Sequence, residues 1–390
     1  MSVLTINAGS SSIRFAFYDR GAPPTKLLDG KLERIGFDDT SLTVNEPGRG
    51  SHRLALDAGE RQSAGDFLLA WIEASPQFAG VRAVGHRVVH GMSHARPERV
   101  SAALLAELKG LMPYDPEHLP REIDLMEKLA GRFPHLAQIA CFDTAFHRGM
   151  PRVATLLPIP RRYESKGVRR YGFHGLSYTY LMQELARQAV AAAGRGRLIM
   201  AHLGNGASLA AVRDGKCVDT SMGFTPAAGL VMSARSGDLD PGIMSFLART
   251  EGMDADRYQH MVNHESGLLG LSETSSDMRD LLAREAQDVR AAEAVALFCY
   301  QAKKWIGAFA AALGGLDALV FAGGIGENAA LIRARICEGL DFLGIELDPL
   351  ENSRHAPLIS SAAGRAAVRV IRTDEESVIA TLTMEFLAAQ

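Results

Sequence analysis

Val3-Leu4-Thr5-Ile6 runs directly into Asn7-Ala8-Gly9-Ser10-Ser11-Ser12, and the residues that follow alternate: Ile13, Phe15 and Phe17, with Arg14, Ala16 and Tyr18 between them. Period-two alternation on both sides of a Gly/Ser turn predicts a β-hairpin. The design recurs. Leu198-Ile199-Met200-Ala201 leads into His202-Leu203-Gly204-Asn205-Gly206, then into the strand-like stretch 207–213, which ends at Asp214-Gly215. A third apolar run, Ala318-Leu319-Val320-Phe321, leads into Ala322-Gly323-Gly324-Ile325-Gly326-Glu327-Asn328, and here a helix is expected from Glu327 to Leu340. Strands that end in Gly and Ser expose backbone N–H groups with no bulk in front of them, a shape that suits phosphate oxygens. Neither GxxxxGK[ST] nor GxGxxG occurs at these positions, so a Walker loop or a dinucleotide fold is not indicated. Strand–turn–strand used twice predicts a duplicated lobe, with one nucleotide held between the two copies.

The 390-residue length suggests two domains. Strands and helices alternate along the chain, which argues an α/β architecture with sheets covered by helices. The first lobe is expected at 1–147, with a terminal helix at 375–390 packed back on it, and the second at 148–374. Net charge is −3 and charged residues make up 22% of the chain, so neither nucleic acid nor a membrane surface is an expected partner. The four cysteines, Cys141, Cys217, Cys299 and Cys337, lack metal-type spacing. They read as free thiols in a reducing cytoplasm. Met1-Ser2-Val3-Leu4 enters a strand with no leader-like pattern, and no apolar run is long enough to span a bilayer.

Several groups could carry chemistry. Arg87, inside Gly85-His86-Arg87-Val88-Val89-His90-Gly91, sits among apolar neighbours and must find an anion. The plainer reading is a structural salt bridge, and the sharper one is a bidentate clamp on a carboxylate or phosphate. Asp143, in Phe142-Asp143-Thr144-Ala145-Phe146-His147, is either a helix cap or a carboxylate that handles a proton or supports a metal. His174, in Arg169-Arg170-Tyr171-Gly172-Phe173-His174-Gly175, is either a core histidine or a donor presented by a glycine-flanked turn to a transferring phosphoryl group. Arg235, in the glycine-rich stretch 219–242, is either a surface arginine or a second cation for that group. Ser275-Ser276-Asp277-Met278-Arg279-Asp280 starts a helix and could also reach ribose and adenine. If the terminal helix returns, Asn7 and Glu375 could meet near a magnesium ion, which takes few protein oxygens and keeps several waters.

Seven segments, in chain order Ile6–Ser12, Gly85–Gly91, Phe142–His147, Arg170–Gly175, His202–Ser208, Arg235–Asp238 and Gly324–Asn328, resemble the motifs of acetate kinases and other short-chain carboxylate kinases. That family lies within the superfamily of sugar kinases, actin and the heat-shock chaperone ATPases. The resemblance covers essentially the whole chain. It implies two actin-like ATPase lobes, duplicated mixed-sheet ribonuclease-H-like domains with a nucleotide cleft between them. It further implies ATP-dependent phosphorylation of acetate to acetyl phosphate, the reverse ATP-forming reaction, and a homodimer. Asp143, His174 and Arg235 match catalytic positions. Arg87 matches the carboxylate-binding arginine, and Val89, Phe173 and Pro226 match the acyl pocket. The resemblance places Arg14, His202, Leu203, Gly204, Asn205, Gly206, Asp277, Met278, Arg279, Gly324, Ile325, Gly326, Glu327 and Asn328 at ATP. It places Asn7 and Glu375 at Mg2+, with Mn2+ as a substitute. The chain also departs from the pattern. Arg14 stands where lysine is usual, and Pro113-Tyr114-Asp115-Pro116-Glu117 replaces Pro-Leu-His-Asn-Pro. Pro226-Ala227-Ala228-Gly229 replaces Pro-Leu-Glu-Gly, and Ser233-Ala234 replaces Gly-Thr. An inward Tyr114 ring would narrow the pocket and favour acetate over propionate, whereas a ring swung away by the altered Asp115-Pro116-Glu117 backbone would open it and weaken that preference.

Overall fold

The first glycine-rich turn joins two antiparallel strands, β1 (Ser2–Ala8) and β2 (Ser12–Asp19), with Ala8 opposite Ile13. The computed structural model describes residues 2–9, 12–33, 40–55, 64–190 and 192–389. Contacts divide the chain into two units, residues 1–145 with 374–390 and residues 146–373.

Among the described residues, the first unit holds an eight-stranded sheet. β3 (Thr25–Glu33), β4 (Ser41–Glu46) and β5 (Gly50–Ala55) extend it beyond β2. β6 (Val81–Val88), β8 (Ala137–Phe142) and β7 (Glu98–Arg99) extend it beyond β1, giving the order β5-β4-β3-β2-β1-β6-β8-β7. The second unit holds β9 (Arg197–Leu203), β10 (Ala207–Arg213), β11 (Lys216–Thr220), β12 (Ala318–Ala322) and β13 (Ala367–Val370), in the order β11-β10-β9-β12-β13.

The duplication expected from the two hairpins is visible in the pairing sense. In the first unit β3, β2 and β1 pair antiparallel, and β1, β6 and β8 pair parallel. In the second, β11, β10 and β9 pair antiparallel, and β9, β12 and β13 pair parallel. The two five-strand frames therefore match in order and direction.

Alternation along β1 decides which residues meet. Leu4, Ile6 and Ala8 enter the core that also holds Phe15, Phe17, Leu125 and Leu129. Val3 faces the other way, with Ala16, Tyr18, Ala83 and Ala380. Asn7 shares the parity of Val3, so it points to the side covered by the terminal helix Glu375–Ala388. In β6 the same side carries Ala83, Gly85 and Arg87. A Cβ on Gly85 would lie 2.2 Å from Thr383 Oγ1 and 2.6 Å from Ile379 Cγ2, so the helix seats directly on this strand. Asp374 caps the helix by accepting from the Ser377 N–H at 2.9 Å, and it also accepts from the Tyr18 hydroxyl at 3.0 Å.

The third glycine-rich turn differs from expectation. The helix opens at Gly323 itself and runs to Asn328, breaks at Ala329 (φ −108°, ψ 81°), and resumes at Ala330–Cys337. It starts early because Glu327 reaches back four residues, its carboxylate accepting from the Gly323 N–H at 2.9 Å. A side chain thus satisfies an orphan donor of the first turn, as a cap would. Met278–Arg284 and Val289–Leu313 are helices, each capped by the aspartate before it.

The Gly85 contact generates a test. Gly85→Val adds an isopropyl group against a seated helix, and overpacking of this kind costs about 1–3 kcal/mol. The expected outcome is a lower urea midpoint with faster proteolysis of the C-terminal helix. An unchanged midpoint would show that the helix accommodates the extra volume.

Candidate active site

In the first unit the polar groups gather at the ends of β1, β6 and β8. The Asn7 amide donates to Glu375 Oε2 at 2.9 Å and to Glu376 Oε1 at 3.1 Å. The two ends of the chain therefore meet, and both neighbouring carboxylates contact the same side chain. Burial raises the pKa of Glu375; Arg87 opposes this and Asp143 adds to it. Burial also raises Glu376, and the adjacent Glu375 raises it further. Arg14 lies across the hairpin from Asn7 and is exposed.

Arg87 follows from β6 onto the same side. Its Nη2 donates to Asp143 Oδ2 at 2.8 Å, and its Nη1 reaches Asn7 Oδ1 at 3.4 Å. Asp143 is fully buried just past β8, and its N–H donates to the Val88 carbonyl at 2.9 Å. Burial alone would weaken the proton's hold on Arg87, but Asp143, Glu375 and Glu122 outweigh it, so the guanidinium stays charged. Both readings of Arg87 hold at once: it forms a buried ion pair with Asp143, yet its Nε is buried without a hydrogen-bond partner among the described residues. An orphaned buried donor of this kind is costly and leaves room for a further acceptor. Val89 follows β6 and is buried.

In the second unit, His174 adopts a left-handed conformation (φ 58°, ψ 25°) at the start of the helix Gly175–Arg187. Gly172 before it is also left-handed, and a Cβ there would strike His147 and Thr220. The turn is held by buried His147, whose Nε2 hydrogen-bonds the Phe173 carbonyl at 2.9 Å. His174 Nδ1 is hydrogen-bonded to Ser208 Oγ at 2.9 Å, and Ser208 in turn to the Tyr178 hydroxyl. The His174 ring stacks on His202 at 4.2 Å, and His202 Nδ1 bonds Ser177, which bonds Thr373. The imidazole is thereby fixed from two sides. A methyl built on Gly206 would lie 3.1 Å from His174 Nε2 and 3.7 Å from Arg235 Nη1. The missing side chain of Gly206 is what lets these two nitrogen donors converge.

Arg235 sits in a turn tied by its backbone. Ser233 N–H donates to the Asn205 carbonyl, Met232 N–H to the Arg235 carbonyl, and Arg235 Nη1 to the Pro226 carbonyl at 3.1 Å. Gly267 (φ 63°) packs beneath, where a Cβ would lie 2.2 Å from the Met232 carbonyl. The second and third glycine-rich turns lie side by side: a Cβ on Gly204 would be 3.7 Å from Gly324 N, and one on Gly323 would strike Leu203.

Other expected site residues occupy different settings. Glu327 spends its carboxylate on the Gly323 and Thr373 N–H groups, and Asn328 donates to the Gly324 carbonyl. Asp277 caps its helix and pairs with Arg279, whose side chain is 90% exposed. Leu203 and Phe173 are buried. Arg170 grips the carbonyls of Thr220, Ser221 and Met222 and so acts as a tether for the end of β11. Glu122, Ser208 and Ser177 are not distinguished by the sequence. None stands in a Gly-rich turn, and a lone Ser or Glu in a strand or helix carries no local signal.

A family model described as the acetokinase family matches residues 2–381. The chain belongs to the acetokinase family. An acetate kinase of Rhodopseudomonas palustris (strain TIE-1) is 43% identical over 385 residues, covering 97% of this chain and 96% of that protein. One from Deinococcus deserti is 44% identical over 399 residues, covering 100% and 99%. The crystal structure of Porphyromonas gingivalis acetate kinase matches with a TM-score of 0.87 at 35% identity over 99% of each chain. A propionate kinase from Francisella tularensis matches with a TM-score of 0.89 at 35% identity over 98% of each. The acetokinase family members are phosphotransferases, and their fold is that of the actin-like ATPases, in agreement with the matched five-strand frames found here.

Proposed function

We propose that this protein transfers the γ-phosphoryl group of ATP to acetate, giving acetyl phosphate and ADP, and runs the reverse reaction. The observation that carries this reading is the convergence of His174 Nε2 and Arg235 Nη1 on side-chain-less Gly206. Two fixed nitrogen donors beside a glycine-rich turn suit the equatorial oxygens of a phosphoryl group in flight. An acetate oxygen attacks the γ-phosphorus, the bond from phosphorus to the β,γ-bridging oxygen breaks, and ADP leaves with that oxygen's electron pair. No covalent phosphoenzyme is required. Arg87, with its orphaned Nε, holds the carboxylate, and Asp143 fixes the guanidinium. Val89, Phe173 and Pro226 are the positions that the family pattern gives to the acyl group. His202–Gly206, Gly324–Asn328, Asp277–Arg279 and Arg14 take the nucleotide.

Asn7 Oδ1 and the Glu375 carboxylate are hard oxygen donors and fit Mg2+, or Mn2+, which would neutralise phosphate charge when bound. The raised pKa of Glu375 supports this, because a buried carboxylate gains most from a cation.

We also read the protein as a cytoplasmic homodimer. The four cysteines are free and buried, as suits a reducing compartment. The helices Gly242–Glu251 and Ala255–His260 bury no residue of their own, and Phe246 is 57% exposed. An apolar helical face left open in the single chain suits a second copy. Sedimentation should give twice the chain mass, and Phe246→Glu should shift it toward monomer.

The activity is tested by hydroxamate formation from acetate, ATP and hydroxylamine. Arg235→Ala should lower kcat/KM by about 100-fold or more without changing the unfolding midpoint, because its turn is held by backbone bonds. Arg87→Lys should lose a similar factor; it is a cleaner probe than Arg87→Ala, which would leave buried Asp143 unpaired. Near-normal turnover in both variants would sink the assignment.

Propionate is the rival substrate, favoured by the similarity to a propionate kinase. The Tyr114 ring lies 6.1 Å from the ring of buried His90, the residue after Val89, which supports its place near the acyl group. Acetate should be preferred, by no more than about 100-fold in kcat/KM. Tyr114→Ala should move the ratio toward propionate, and a fixed ratio would take Tyr114 out of the pocket.

A further inference from the structure

The segment that departs from the family pattern, 113–117, leads into the helix Leu119–Arg132, and the first turn of that helix does something specific. Two adjacent side chains on it hold two separate parts of the first unit. Arg121 Nη1 donates to the carbonyl of Gly9 at 3.0 Å, in the first glycine-rich turn. Glu122, 2% exposed, accepts from the Val89 N–H with both carboxylate oxygens, at 3.1 and 3.2 Å.

The consequence for Arg87 follows from the backbone. Val88 is pinned through its carbonyl by the Asp143 N–H, and Val89 through its N–H by Glu122. The chain just past Arg87 is thus held from two sides where the strand pairing stops. We propose that Glu122 is a positioning residue for carboxylate binding: it fixes the backbone at Val89, and through it the aim of Arg87. Arg121 does the corresponding work on the Gly9 turn, on the phosphate side. The inference rests on the acetate-phosphorylating reading given above.

Glu122 is costly to keep, which argues that it is retained for more than helix formation. Burial pushes its carboxyl well above the usual range; Arg87 pulls it back, and Asp115 and Asp143 push it up again. Asp115 is itself buried and pairs with His118 at 2.8 Å. A solvent-facing glutamate would form the helix equally well without that desolvation.

The test is steady-state kinetics with acetate and ATP varied separately, alongside thermal unfolding. Glu122→Ala removes the acceptor and should raise KM for acetate by about tenfold, with KM for ATP within about twofold of the parent. Glu122→Gln keeps an acceptor for the Val89 N–H and should recover most of the loss. Arg121→Ala should show the opposite split, with the larger change in KM for ATP. If Glu122→Ala fails to fold, Glu122→Asp, which keeps the carboxyl group but withdraws it by one methylene, decides the matter through the same acetate-specific rise. An unchanged acetate KM, or equal rises in both KM values, would overturn the proposal and leave Glu122 a structural residue only. Wild-type protein that forms no acetyl hydroxamate would instead overturn the reading beneath it.

Discussion

The Asn7 amide donates to two adjacent carboxylates that arrive from the other end of the chain, Glu375 and Glu376. Much of the first unit depends on that contact. It can form only if the terminal helix lies against β1 and β6, and the helix can lie there only because Gly85 offers no side chain. Two buried carboxylates side by side repel each other and lose their hydration. The Asn7 N–H groups and the charge of Arg87 offset that loss. Arg87 in turn is fixed by Asp143 and leaves one buried N–H without an acceptor. Closing the chain ends and aiming the arginine are therefore one event.

The second unit reaches an equivalent rigidity by different means. The anchors described above for its two donor side chains are neutral. Backbone carbonyls, hydroxyls and a stacked pair of imidazoles hold His174 and Arg235. The glycines at 204, 206, 267 and 323 allow backbone segments to approach more closely than any other residue would permit. In the first unit, by contrast, Arg87 faces Asp143, Glu375 and Glu122.

Much of this was legible in the chain itself. The hairpins, the matched lobes and the terminal helix all follow from periodicity and turn chemistry, which act over a few residues. Asn7, Arg87, Asp143, His174 and Arg235 stand out because a polar group in an apolar run or a glycine-rich turn is locally costly. Local chemistry misjudged the third glycine-rich turn, because the back-reaching carboxylate of Glu327 starts the helix four residues early.

What the sequence by itself determined was which residue types stand at strand ends, and so the class of fold and the class of ligand. Tertiary structure alone decided which of them meet. Glu122 reads as an ordinary polar position of an amphipathic helix until its carboxylate is seen on the Val89 N–H, 33 residues away. Ser208 reads as a strand serine until it holds the His174 ring. The reason is physical. Propensity and periodicity are set by near neighbours along the chain, whereas burying a charge or fixing an imidazole depends on groups that only chain topology and packing bring within about 3 Å.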